Sequence, residues 1–153
     1  MTQTFAGINI AGLSDLEFSV LLAEDDDGTS QDWDLPNPSS PTDLGDFVLF
    51  EYQIDGGGYT ELFTVAATTA TSGNGFSNGE PEVNGVAVTS EFTAFTSAIA
   101  GTGSTLDIRL TWNLNAGDED LAIDNLEVNV IPEPTSLALL GLGGLLVARR
   151  RRG

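Results

Sequence analysis

Apolar and polar residues alternate with a period of two along most of this chain, the mark of strands that bury one face. Phe5, Ile8 and Ile10 predict a short first strand that ends at Gly12. Leu16, Phe18, Val20 and Leu22, interleaved with Glu17 and Ser19, predict a second. Pro36, Pro38 and Pro41 then exclude regular structure from an acidic connection over 24–46, because proline fixes φ and has no amide to donate. Beyond it, Phe47 to Ile54 sets Val48, Phe50, Tyr52 and Ile54 on one face. Asp55-Gly56-Gly57-Gly58 turns that strand back into Tyr59 to Ala66, since glycine supplies the positive φ angles of tight hairpins. Thr68 to Glu82, rich in Thr, Ser, Gly and Asn, reads as a long surface loop.

Val83 to Val88 and Glu91 to Thr96 predict two further strands, the latter offering Phe92 and Phe95 to a core. Leu106, Ile108, Leu110 and Trp112 alternate cleanly with Asp107, Arg109 and Thr111. The last strand, Leu121 to Val130, changes phase: Leu121 and Ile123 hold odd positions, whereas Leu126, Val128 and Val130 hold even ones. A β-bulge at Asp124-Asn125 absorbs the extra residue. With no helix longer than one turn predicted before residue 132, the fold class is all-β: an antiparallel β-sandwich, jelly-roll-like, over 1–131. Eight phenylalanines and two tryptophans supply its core.

The pattern breaks at residue 132, and 132–153 reads as a separate tail. Pro132-Glu133-Pro134, Thr135 and Ser136 precede Leu137 to Ala148, which has no polar side chain, and the block Arg149, Arg150, Arg151 and Arg152 follows at once. A single hydrophobic helix over those twelve apolar residues would rise about 18 Å against a bilayer core of about 30 Å, so it spans only if the preceding residues dip in and the arginines snorkel outward. The arginines predict a cytoplasmic C-terminus before any processing, with the acidic body on the far side. The two prolines hold their segment extended and deny it to a helix.

This order of features, from Val130 to Arg152, resembles the PEP-CTERM sorting tail of Gram-negative bacteria. The resemblance implies recognition by exosortase, a membrane-embedded cysteine transpeptidase, with Pro132, Glu133 and Pro134 as the recognition element. By the same resemblance Arg149, Arg150, Arg151 and Arg152 complete the sorting signal as its terminal arginines. It implies processing near the Pro-Glu-Pro tripeptide and display at the cell surface, or release into exopolysaccharide or biofilm matrix. The run Gly117 to Val128 is similar to the final strand of jelly-roll modules such as MAM and carbohydrate-binding domains.

Charge sharpens the division. Of 23 acidic residues only Glu133 follows residue 131, and of five basic residues only Arg109 precedes it, so the body carries 22 acidic groups against one arginine. Such a body repels phosphate backbones and anionic lipid, which excludes nucleic acid as a partner. The absence of cysteine excludes disulfides and a thiol nucleophile. Met1 to Ile10 has neither a basic n-region nor a long apolar stretch, so an export signal is expected upstream of Met1.

Candidate chemistry rests on carboxylates and aromatics. Oxygen-only ligands favour calcium, and because the first and last strands of a jelly-roll are often neighbours, Asp32 and Asp34 are expected to meet Glu119, Asp120 and Asp124 around a structural ion. The spacing around Asp25 and Asp27 does not fit an EF-hand. With no histidine, no cysteine and no nucleotide or nucleophile motif, the chain is predicted not to be an enzyme. A glycosidase built from two carboxylates is the catalytic alternative. The non-catalytic readings are a structural or adhesive surface protein and a carbohydrate-binding module, for which Trp33 is the candidate platform and Trp112 is expected in the core.

Overall fold

The computed structural model describes residues 1–24, 33–37, 39–40, 42, 44–68, 78–114 and 120–131. Eleven strands occur among them: β1 (Thr2–Asn9), β2 (Leu16–Ala23), β3 (Trp33–Asp34), β4 (Phe47–Ile54), β5 (Thr60–Ala67), β6 (Asn78–Gly79), β7 (Pro81–Val83), β8 (Val86–Ala87), β9 (Thr93–Ile99), β10 (Thr105–Asn113) and β11 (Ala122–Val130). They form a six-stranded sheet in the order β1-β10-β4-β5-β7-β8, a three-stranded sheet β11-β2-β9, and a small ribbon β3-β6. Every pairing is antiparallel. The helix expected over Leu137 to Ala148 lies outside the described residues.

The two sheets meet through the apolar faces that the alternation marks. Phe18 of β2 packs on Phe50 of β4 and Phe63 of β5 with ring centroids 5.8 and 5.9 Å apart, and Phe63 reaches Phe95 of β9 at 6.5 Å. Leu106, Ile108, Val20, Leu22 and Val65 complete the fully enclosed centre. These contacts join both sheets into one sandwich core. Trp112 is only half-buried and packs against that core from its margin.

Two of the turns are built on a consecutive pair of left-handed residues. Asp55 (φ 49°) and Gly56 (φ 71°) join β4 to β5, and the Gly57 amide donates to the Ile54 carbonyl at 3.0 Å, the geometry of a type I′ hairpin. Asn84 (φ 52°) and Gly85 (φ 80°) join β7 to β8 in the same way. One continuous strand expected over Val83–Val88 is therefore a hairpin instead. The Asn-Gly pair carries that signal in the sequence.

The bulge in the last strand stands where the phase slip puts it. The register between β11 and β2 shifts between Asp124 and Glu127, and Asn125 has φ 49°. Two expectations are corrected. Phe92 precedes β9 and is 52% exposed, so only Phe95 serves the core. The first and last strands are not hydrogen-bonded neighbours: β1 pairs with β10 in one sheet and β11 with β2 in the other.

Candidate functional site

The feature singled out by the sequence begins where the folded body ends, and the strand directions place that point. β11 runs antiparallel to β2 from Ala122 opposite Ala23 to Val130 opposite Leu16, and the Ile131 amide then donates to the Asp15 carbonyl at 2.7 Å. The chain is thus tied to the body up to the residue before Pro132. Ile99, the last residue of β9, also lies opposite Leu16, and Asn9 and Ile54 close the other sheet beside Thr105 and Leu106. One end of the sandwich therefore gathers three short connections, 10–15, 55–59 and 100–104, around the exit of β11. Of the sorting signal itself, Pro132, Glu133, Pro134, Arg149, Arg150, Arg151 and Arg152 all lie outside the described residues.

This end is cross-linked. The Asp55 carboxylate accepts the backbone amides of Ser104 (3.0 Å) and Thr105 (2.8 Å) and the Thr105 hydroxyl (3.1 Å). The Tyr52 hydroxyl donates to the Ala100 carbonyl at 3.1 Å and accepts the Ala100 amide at 3.2 Å. The Ile10 amide donates to the Ser104 carbonyl at 3.1 Å. The amide bonds from Thr105 and Ser104 hold the Asp55 carboxyl below the usual aspartate range. A carboxylate depressed in the folded state stabilises above its unfolded pKa, and that contribution is lost as pH falls through the lowered value. Asp55→Asn is therefore expected to make thermal stability less dependent on pH below about pH 4 than in the parent protein, as followed by melting scans across acidic buffers. A parallel acid response in both proteins would count against this role for Asp55.

The opposite end receives the acidic connections. The segment after Ala23 leaves from there and returns at Phe47, and the segment after Asn113 returns at Ala122. Of the calcium candidates, Asp32 and Glu119 lie outside the described residues. Asp34 forms the β3–β6 ribbon, its amide donating to the Asp46 carboxylate at 2.6 Å. Asp120 precedes β11, and the Asp124 carboxylate accepts the Asn125 amide at 2.7 Å within the bulge. Among the described residues no three acidic side chains form a group that could hold a metal ion.

The candidate sugar platform is corrected. Trp33 is 0% exposed and belongs to the core, so it presents no ring face to a sugar. Burial follows from its anchors: the Asp46 amide donates to the Asp34 carbonyl at 2.8 Å, and the enclosed Asp46 carboxylate takes the Asp34 amide in return. Tyr52 is buried too. The Tyr59 ring is covered by the Arg109 guanidinium, 3.5 Å from its centroid, while Arg109 also pairs with Glu51 at 2.7 Å. The lone basic side chain of the body is thus engaged in a partly exposed ion pair on the outer sheet face, worth on the order of 1 kcal/mol or less.

An open cleft at the β1–β11 side of the sandwich is lined by Gln3, Phe5, Leu110, Trp112, Ile123 and Asp124. Its walls are mostly apolar, and Gln3, Asp124 and Asn125 are the polar side chains at its edge. Among the described residues no helix is long and apolar enough to cross a membrane.

Comparison with known proteins adds one finding. The family model for the PEP-CTERM protein-sorting motif matches residues 130–152, starting at the last residue of β11. The match takes in the Pro-Glu-Pro tripeptide and all four arginines, Arg150 and Arg151 at the middle of the block included. No curated protein and no solved structure matches the chain significantly. The chain carries this sorting motif, which implies export, C-terminal anchoring in a membrane, and processing by exosortase at the cell surface.

Proposed function

We propose that this chain is a non-catalytic structural or adhesive protein of the cell surface, delivered by its sorting tail into the exopolysaccharide matrix. One observation carries the reading: the sorting motif starts at Val130, the residue that ends β11, so the whole folded body is the cargo of the tail. The body fits that role by its charge, since 22 acidic groups against one arginine keep an exported domain soluble and mutually repelling. The tail first holds the protein in the membrane with its arginines on the cytoplasmic side, and exosortase then separates it from the body.

Calcium enters this proposal as a counter-ion gathered by the acidic connections at the end opposite the tail. Addition of millimolar calcium is expected to raise the melting temperature of the body, and an unchanged melting curve would remove calcium from the proposal. The role itself is tested by fractionating cultures of a host that has the sorting system. The body is expected in the extracellular polysaccharide fraction, and a chain cut back to Ile131 is expected to leave that fraction for the periplasm or medium. Equal distribution of both chains would contradict tail-directed delivery.

A further inference from the structure

The sequence says that the tail enters a membrane; the topology says which end of the body then meets it. We propose that, while the tail is embedded, the end of the sandwich formed by connections 10–15, 55–59 and 100–104 rests on the interfacial layer of the bilayer through Leu13, Val130 and Ile131. The proposal rests on the tail reading above and extends it to a surface of the body.

Three observations converge on this surface. Leu13, Val130 and Ile131 are 39%, 48% and 41% exposed, the first in connection 10–15 and the other two at the tail exit. The Ile131 amide donates to the Asp15 carbonyl, which sets the tail exit beside the 10–15 connection that carries Leu13. Isolated exposed apolar residues are ordinary, but three around the root of a membrane anchor form a shoulder of the kind that enters a headgroup layer.

Charge is the second observation. The three connections at this end hold only two carboxylates, Asp15 and Asp55, and the second is occupied by Ser104 and Thr105. The connections anchored at the other end, 24–46 and 114–121, hold eleven, from Glu24 to Asp120. β2, eight residues long, separates the two ends by about 25 Å, well beyond the screening length of about 8 Å in physiological salt. The strongly acidic end is thereby kept off a lipid surface that would repel it.

Length is the third. A helix over Leu137–Ala148 rises about 18 Å, about 12 Å short of a bilayer core of about 30 Å. From Ile131 to Leu137 six residue steps reach at most about 21 Å when extended. With the arginines at the far boundary, Ile131 can stand no more than about 9 Å above the near boundary of the core, close to the outer limit of a headgroup layer about 5 to 8 Å thick. Snorkelling of the arginines relaxes this by a few ångström and does not free the body from the surface. Because Ile131 is still bonded to Asp15, the body cannot release more chain without peeling β11.

The chain has no cysteine, so single-site labelling of the full chain is clean. Ala11→Cys places an environment-sensitive fluorophore beside Leu13, and Ser90→Cys places one at the opposite end, where the Glu24 amide donates to the Thr89 carbonyl. Each labelled chain is reconstituted into phosphatidylcholine vesicles containing a headgroup-nitroxide lipid, and flotation reports insertion of the tail. The Ala11 probe is expected to lose most of its emission while the Ser90 probe keeps its own. Leu13→Asp added to Ala11→Cys is expected to restore much of the lost emission. Flotation without quenching at Ala11, equal quenching at both sites, or quenching that Leu13→Asp leaves unchanged overturns the docking while the tail reading stands. Failure of the chain to float overturns both.

Discussion

Replacement of Pro132, Glu133 and Pro134 together by alanine is expected to leave the exported protein unprocessed, with its arginine block intact and its body in the membrane fraction. The effect should approach complete loss of release, because the alanines remove the residues that keep this segment extended. Alanine also favours helix, so the apolar run would lengthen toward Ile131 and become a more ordinary anchor. The body should be unaffected, since its last described bond to the chain is the Ile131 amide to Asp15, and its melting temperature serves as the control. Immunoblots of membrane and medium fractions from a host with the sorting system read the outcome directly. Normal release of the triple variant would show that another part of the chain carries the signal.

The largest expected effect on the body comes from Phe50→Ala. Phe50 is fully enclosed, with its ring centroid 4.9 Å from Phe63 and 5.8 Å from Phe18, so it touches both sheets. Its truncation opens a cavity where the two layers meet and should cost about 3–5 kcal/mol. For a domain of this size that corresponds to a fall in melting temperature of about 10–20 °C. Phe92→Ala is the matched control, because Phe92 is 52% exposed and its removal should stay within about 0.5 kcal/mol. Calorimetry of the two variants separates them, and similar melting temperatures would contradict the packing described for Phe50.

The strands that dominate the sandwich could be read from the sequence because alternation is a local property. β4 occupies Phe47–Ile54 as the pattern demands, and the bulge in β11 stands where Leu121 and Ile123 fall out of phase with Leu126 and Val128. What escaped depends on partners far along the chain. β3 and β6 have two residues each, too few to show a period, and exist only because they pair with each other. Trp33 sits among aspartates in the sequence and looks exposed, yet the bonds between Asp34 and Asp46 turn it into the core. Phe92 shows the reverse, an aromatic ring placed just before a strand that starts one residue later.

The sorting motif was legible for the same reason that β4 was, since its proline pair, apolar run and arginines are contiguous. The polarity of the body was not. Acidic residues after β2 and before β11 are scattered in sequence, and only the strand directions bring their connections to one end and the tail exit to the other. That arrangement turns a net charge into an orientation: the exit of the tail lies at the sparsely charged end, and the strongly acidic end faces away from it.

The central claim is that the body is cargo and leaves the membrane whole. The mass of the mature protein, purified from a host that has the sorting system, tests it most directly. Because β11 is paired through Val130 and Ile131 is bonded to Asp15, the cut is expected after Ile131, giving a C-terminus between Pro132 and Ser136 and none of the tail arginines Arg149, Arg150, Arg151 and Arg152. A mature chain that retains those arginines, or one that ends upstream of Ile131 within β11, would contradict the account.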